Sequence, residues 1–268
     1  MDSQAFGADG GFPDTAGLPP GPRRSPGRVV AAILVPLLAL AVSGIAFALS
    51  GGTPSYDAGA KAGSSAGASD IAARAAWRSA SADQILPPKI DREGTEAYYR
   101  LGVDPAVSCA QLPGTFVKAL GAAGCEHVVQ ATYIDSTESV VATVGLVAVG
   151  GTSAQRAVLF QNWTADAYAR QYSMMPSAYP VRASLAASFQ NAQRVAWKSA
   201  ISNDGSYIAF AVSGFADGRL GPSAAAYDLG GESELQSDSP PVQVADDLSS
   251  TTMVGFSARY PSVSGARS

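Results

Sequence analysis

Hydrophobic and polar positions fall in blocks along the chain, and each block predicts a different element. The first apolar block is also the longest. From Val29 to Leu49 runs VVAAILVPLLALAVSGIAFAL, without one charged residue. At ~1.5 Å per residue it matches the ~30 Å hydrocarbon core of a bilayer and predicts one transmembrane helix. Pro36 and Gly44 are tolerated in such helices, where neighbours or local adjustments satisfy the freed backbone groups. Arg23, Arg24 and Arg28 precede the block, whereas only Lys61 is basic between Leu49 and Ser69. This asymmetry places the N-terminus in the cytoplasm and everything after Leu49 outside it. The rival reading is a cleaved signal peptide with Ala46-Phe47-Ala48 as its A-x-A site. The length of the run favours the anchor, because a signal h-region is usually ~7–15 residues. No lipobox cysteine follows, which argues against a lipoprotein.

Beyond the anchor the period of the pattern changes several times. Asp70 is placed to cap a short helix ending near Gln84, with Ile71, Ala75 and Trp77 on its apolar side and Pro87-Pro88 closing it. Tyr98, Tyr99 and Leu101 have a helical spacing, and Asp104-Pro105 resembles a cap followed by proline at the first helical position. GTFVKALGAAG after Pro113 predicts a helix with Phe116, Val117 and Leu120 on one face and Gly121 or Gly124 near its end. The segments EHVVQATYI (126–134) and SVVATVGLVAV (139–149) flank the polar turn Asp135-Ser136-Thr137-Glu138 and predict a β-hairpin. Thr152 with Gln155 three residues on forms a capping box for a helix over 153–172. A loop with Met174, Met175, Pro176 and Pro180 leads to a short helix near 182–190. Residues 192–200 and 206–214 flank Asn203-Asp204-Gly205, and Asp-Gly between apolar runs is a strong hairpin signal.

The order helix, hairpin, helix, hairpin predicts an α+β domain: a four-stranded antiparallel sheet built from two helix-hairpin halves, with helices on one face. The expected organisation is a disordered cytoplasmic tail (1–28), the transmembrane helix (29–49), a flexible linker (50–68), the extracytoplasmic domain (69–250) and a disordered tail (251–268). Leu18-Pro19-Pro20-Gly21-Pro22 in the first tail is a weak polyproline II candidate, and Gly63-Ser64-Ser65-Ala66-Gly67 matches G-x-S-x-G without the strand and helix that a nucleophile elbow needs.

Composition narrows the function. With 268 residues and 47% apolar content the chain holds one moderate core. Charged residues make up 15% and the formal net charge is −4, so there is no basic field for a phosphate backbone and nucleic acid is not an expected partner. Neither G-x-x-x-x-G-K-[ST] nor G-x-G-x-x-G occurs, and no cofactor is expected. His127 is the single histidine, and no D-x-D-x-D-G loop is present, so no metal site is expected either.

Cys109 and Cys125 are the only cysteines and bracket the helix after Pro113. Both fall in the part placed outside the membrane, which predicts a structural disulfide provided that Ala110–Pro113 runs back beside the helix. A redox-active pair is the alternative, without a C-x-x-C to support it. The sharpest enzymatic candidate is a Cys125–His127 dyad, which oxidation of Cys125 would disarm. Asp135 with Glu138, Asp246 with Asp247 and Asp217 with Arg219 are better explained as polar turn and loop residues. The Asn162-Trp163-Thr164 sequon lies inside a predicted helix, and Trp163, Tyr168 and Tyr172 have the spacing of a packing face.

An Ala/Gly-rich chain, a Pro-rich tail with arginines before one span, and an outer domain carrying Ser108-Cys109 through Gly124-Cys125 resemble the single-pass envelope proteins of actinomycetes. The resemblance is one of type and implies no activity. The expected function is a membrane-anchored, non-enzymatic binding or scaffolding domain with an envelope protein as its partner. A ligand-sensing domain signalling through the span, or a hydrolase using Asp or Ser residues, are the alternatives.

Overall fold

Period-2 alternation of Val, Ala, Tyr and Thr builds one antiparallel sheet in the computed structural model. The structure describes residues 71–72, 75–92, 97–165, 171–224, 227 and 239–260, all within the unit Ser55–Ser268. The strands are β1 (Lys89–Asp91), β2 (Ala97–Val107), β3 (Cys125–Asp135), β4 (Val140–Val149), β5 (Ala196–Ile201) and β6 (Tyr207–Phe215). Their order across the sheet is β1-β2-β3-β4-β6-β5. Each predicted hairpin is present, and the two are joined where β4 pairs with β6, from Val140 opposite Phe215 to Ala148 opposite Tyr207.

Every residue of β4 is buried, so the sheet is covered on both sides. On one face Val129, Ala131, Tyr133, Val144, Leu146 and Ala209 pack against helix α4 (Pro240–Arg259) through Val244, Leu248 and Phe256. On the other, Val128, Val147, Ile208, Phe210 and Val212 meet Phe116 of α2 (Gly114–Ala119) and Leu159 and Trp163 of α3 (Ser153–Ala165). A short α1 (Ala82–Ile85), held by the reciprocal Ser81–Gln84 capping box, leads into β1. Gly145 sits opposite Phe210, and a Cβ there would collide with the phenyl ring. The glycine is what lets the ring lie across the strand.

The long connection from α3 to β5 is strapped onto the sheet by buried polar groups. Thr132 Oγ1 donates to the Tyr179 carbonyl (2.5 Å), and the Tyr179 N–H donates to Thr143 Oγ1 (2.8 Å). Arg194, also buried, donates from Nη1 to the carbonyls of Met175 (2.7 Å) and Pro176 (2.8 Å) and lies over the Tyr172 ring.

Several expectations are corrected. The sheet has six strands, not four, and helices cover both faces, not one. The two hairpins form the expected single sheet through the pairing of β4 with β6, and β1 and β2 extend it beyond β3. Residues 97–107 form strand β2, not a helix. Register shifts between Arg100 and Gly102 and between Asp104 and Val107 break the alternation that would have announced it. Pro105 lies inside the second shift, where a missing N–H costs the ladder nothing. Residues 182–188 are turns, not a helix. The capping box of α3 is formed, Thr152 N–H to Gln155 Oε1 (2.7 Å) and Gln155 N–H to Thr152 Oγ1 (3.3 Å), and the described helix ends at Ala165, short of residue 172. Of the tail expected over 251–268, residues 251–259 are instead the second half of α4, with Met253 and Phe256 in the core, and residues 261–268 lie outside the described residues. Among the described residues no helix is long and apolar enough to cross a membrane. The apolar run 29–49 lies outside them, as do the tail 1–28, the linker 50–68 and the cap Asp70.

Phe256 is 1% exposed and meets the Tyr207 ring edge-on at 4.8 Å. Phe256→Ala is expected to destabilise the fold by about 3–5 kcal/mol in urea denaturation. A chain ending at Ser250 should lose cooperative unfolding; a cooperative transition in that chain would show α4 to be dispensable.

Candidate functional site

The chemistry-bearing residues gather in two places, a disulfide corner and a polar cleft. At the corner, Cys109 and Cys125 are bonded with their Cα atoms 6.0 Å apart. The chain achieves this by doubling back. Ser108 Oγ accepts the Ala110 N–H (3.2 Å) and starts a 3-10 turn over Cys109–Gln111, after which α2 runs outward. Gly121 (φ 57°) and Gly124 (φ 67°) then adopt the left-handed conformation that returns the chain to β3. The bridge therefore spans the base of the excursion and not the length of the helix. It locks the β2-to-β3 connection, a constraint worth about 3 kcal/mol on the chain-entropy account.

His127 is next to this bridge and is held twice. Its ring stacks on Trp77 (4.2 Å between centroids, 11° between planes), and Nε2–H donates to the Pro105 carbonyl (3.1 Å). Trp77 is fixed in turn by its backbone N–H to the Tyr207 hydroxyl (3.2 Å) and by Arg78, which covers its ring and pairs with Glu126 (3.2 Å). Burial pushes the Tyr207 phenol up to about 12, so it acts as a neutral hydrogen-bonding group. The Cys125–His127 dyad is thus not assembled: the sulfur is bonded to Cys109 and the imidazole pins the helical residues 75–79 to the sheet.

The polar cleft, of about 200 Å³, lies between the β3–β4 turn and the start of α4. Asp247 Oδ2 accepts from the Tyr98 hydroxyl (3.1 Å) and pairs with Arg92 Nη1 (2.8 Å). Asp246 and Asp247 are therefore helical and not in a loop. Across the cleft Asp135 organises its own turn. Burial by itself would raise the Asp135 carboxyl. Hydrogen bonds from the Thr137 hydroxyl, the Val140 N–H (2.7 Å) and the Ser139 hydroxyl and N–H (3.0 and 2.8 Å) outweigh it and hold the group below the usual carboxylate range. A carboxylate held this way is a poor base, and the neighbouring hydroxyls are spent on it. Glu138 takes a left-handed conformation (φ 57°) that closes the turn. The cleft can recognise a polar group, but among the described residues it presents no base poised to activate a nucleophile.

The remaining candidates are structural. Asp217 and Arg219 pair with each other (Nη2 to Oδ2, 2.5 Å), with the guanidinium over Phe215, at the end of β6. Trp163 is buried and its Nε1–H donates to Ser199 Oγ (3.1 Å); Tyr172 meets Tyr227 edge-on, and Tyr168 lies outside the described residues. Asn162 is exposed in mid-helix on α3. A groove of about 350 Å³ between α2 and α3, lined by Leu120, Ala122, Ala154, Val158 and Leu159 among others, contains no titratable residue. Among the described residues no group of three His, Cys, Asp or Glu is placed to hold a metal ion. Tyr98 and Asp247 are far apart in sequence, and no local pattern marks them as partners.

Fold and site together define a disulfide-bridged six-stranded α+β domain. Comparison with protein-family models, curated proteins and solved structures finds no match to the chain.

Asp135 gives a signed pH prediction. Its folded pKa lies below the ordinary value of an aspartate carboxyl, so its stabilisation is complete above that ordinary value and is lost as pH falls through the lower folded one. Asp135→Asn should lower stability at neutral pH and flatten the acid limb of the stability curve below about pH 4. An unchanged acid limb in urea melts would show that the turn does not depend on this carboxylate.

Proposed function

We propose that the chain is a membrane-anchored domain held outside the cytoplasm that acts by contact, as a binding or scaffolding component of a cell-envelope assembly. The observation that carries this reading is the Cys109–Cys125 bond. Disulfides persist in oxidising compartments, and this one uses every cysteine in the chain. It lies on the side of the 29–49 run that the arginine asymmetry assigns to the outside. Two independent features, one redox and one electrostatic, point to the same compartment.

Contact is favoured over catalysis by how the reactive groups are engaged. The two thiols are bonded to each other, the imidazole is stacked and hydrogen-bonded, and Asp135 is saturated by its own turn. A domain of this kind supplies shape and anchorage. The resemblance to actinomycete envelope proteins supports the same setting.

Protease treatment of intact protoplasts carrying a C-terminal tag should digest the tag, while the size of the chain before digestion should correspond to an uncleaved 29–49 segment. Protection in intact protoplasts with digestion after lysis would put the domain in the cytoplasm and refute the reading. Crosslinking in intact envelopes followed by affinity purification should then recover a discrete envelope protein. Recovery of none would remove the scaffolding role.

A further inference from the structure

We infer that the cleft between α1, β1 and the last turns of α4 is a binding site for a small aliphatic carboxylate. Its floor is apolar, formed by Ile85, Ile90 and Phe256, each 5% exposed or less, with Pro87 beside them. Its rim is polar, with Arg259, Gln84, Asp91 and Thr251. Its volume is about 180 Å³, below the ~300–1,000 Å³ of sites for drug-sized ligands, which limits the occupant to a few carbon atoms and one head group.

Charge decides the head group. Asp91 is neutralised by Lys89, with Nζ 2.6 Å from Oδ1. Arg259 is paired with no carboxylate among the described residues; Nη1 donates to the Gln84 carbonyl, which ties the end of α4 to α1. Among the described residues the rim is therefore net positive, and a guanidinium presents several N–H donors in a planar fork that suits a carboxylate.

Two small residues of α4 complete the lining. Thr252, 4% exposed, lines it, and its buried Oγ1 has no hydrogen-bond partner. Gly255 also lines it, on the interior of a helix where glycine is unfavourable, and a Cβ there would meet nothing within 4 Å. A larger side chain there would therefore find room beside the cleft. The site holds together whether or not the domain lies outside the cytoplasm, so its test is independent of the location experiment.

The test uses the full chain in nanodiscs, with empty nanodiscs as control, and saturation-transfer NMR of hexanoate, hexanol and hexylamine. Hexanoate should bind saturably, and hexanol and hexylamine about tenfold more weakly or not at all. Arg259→Gln should weaken hexanoate about tenfold or more, the loss expected of a charge-assisted hydrogen bond. Gly255→Leu should abolish binding while holding or raising the melting temperature, because it fills the cleft and removes a helix glycine. Non-saturable binding, equal binding of hexylamine, or undiminished binding to folded Gly255→Leu would each overturn the assignment.

Discussion

The fold depends on one strand pairing, that of β4 with β6. Each strand belongs to a hairpin of its own, and either hairpin alone would leave an unpaired edge and two uncovered faces. Joined through nine residue pairs, from Val140–Phe215 to Ala148–Tyr207, they become the centre of a six-stranded sheet. Burial on both sides follows, and with it the need for α4 on one face and α2 and α3 on the other. Gly145 is where that demand is most visible, because Phe210 on the paired strand occupies the place of its side chain. The seam joins two segments more than fifty residues apart.

Around this seam the polar groups act as fasteners. Thr132 and Thr143 hold the loop after α3, Arg194 holds its far end through the Met175 and Pro176 carbonyls, and Ser213 Oγ donates to the Pro241 carbonyl (2.5 Å) at the start of α4. Each is buried, so each would be costly if unpaired, and each meets a backbone group of a segment packed against the sheet. The disulfide and the Trp77–His127 stack perform the same task at the opposite end of β3. A thiol pair and an imidazole that would suggest chemistry in isolation serve here as covalent and aromatic clamps.

Local signals in the sequence were strong enough to specify the parts whose cause is local. Asp204-Gly205 and the Asp135 turn marked both hairpins, the Thr152–Gln155 box marked the start of α3, and Gly121 and Gly124 marked the end of α2. The cysteine pair was legible because only two exist and their spacing allows a doubling-back. Strand β2 was not legible, since its two register shifts destroy the alternation by which a strand is recognised. Helix α4 was missed because its Ser, Thr and Gly content reads as a polar tail, while half of its length is buried against the sheet.

The sequence by itself determined the hairpins, the capped helix, the candidate bridge and the charge asymmetry around residues 29–49, because turn chemistry, capping and the positive-inside rule act over a few residues. Tertiary structure alone decided the number of strands, the layers on both faces and the two clefts. Arg92 and Tyr98 meet Asp247, and Ile85 and Ile90 meet Phe256 and Arg259, only after α4 has docked. Such contacts join residues more than a hundred positions apart, where burial outweighs local propensity.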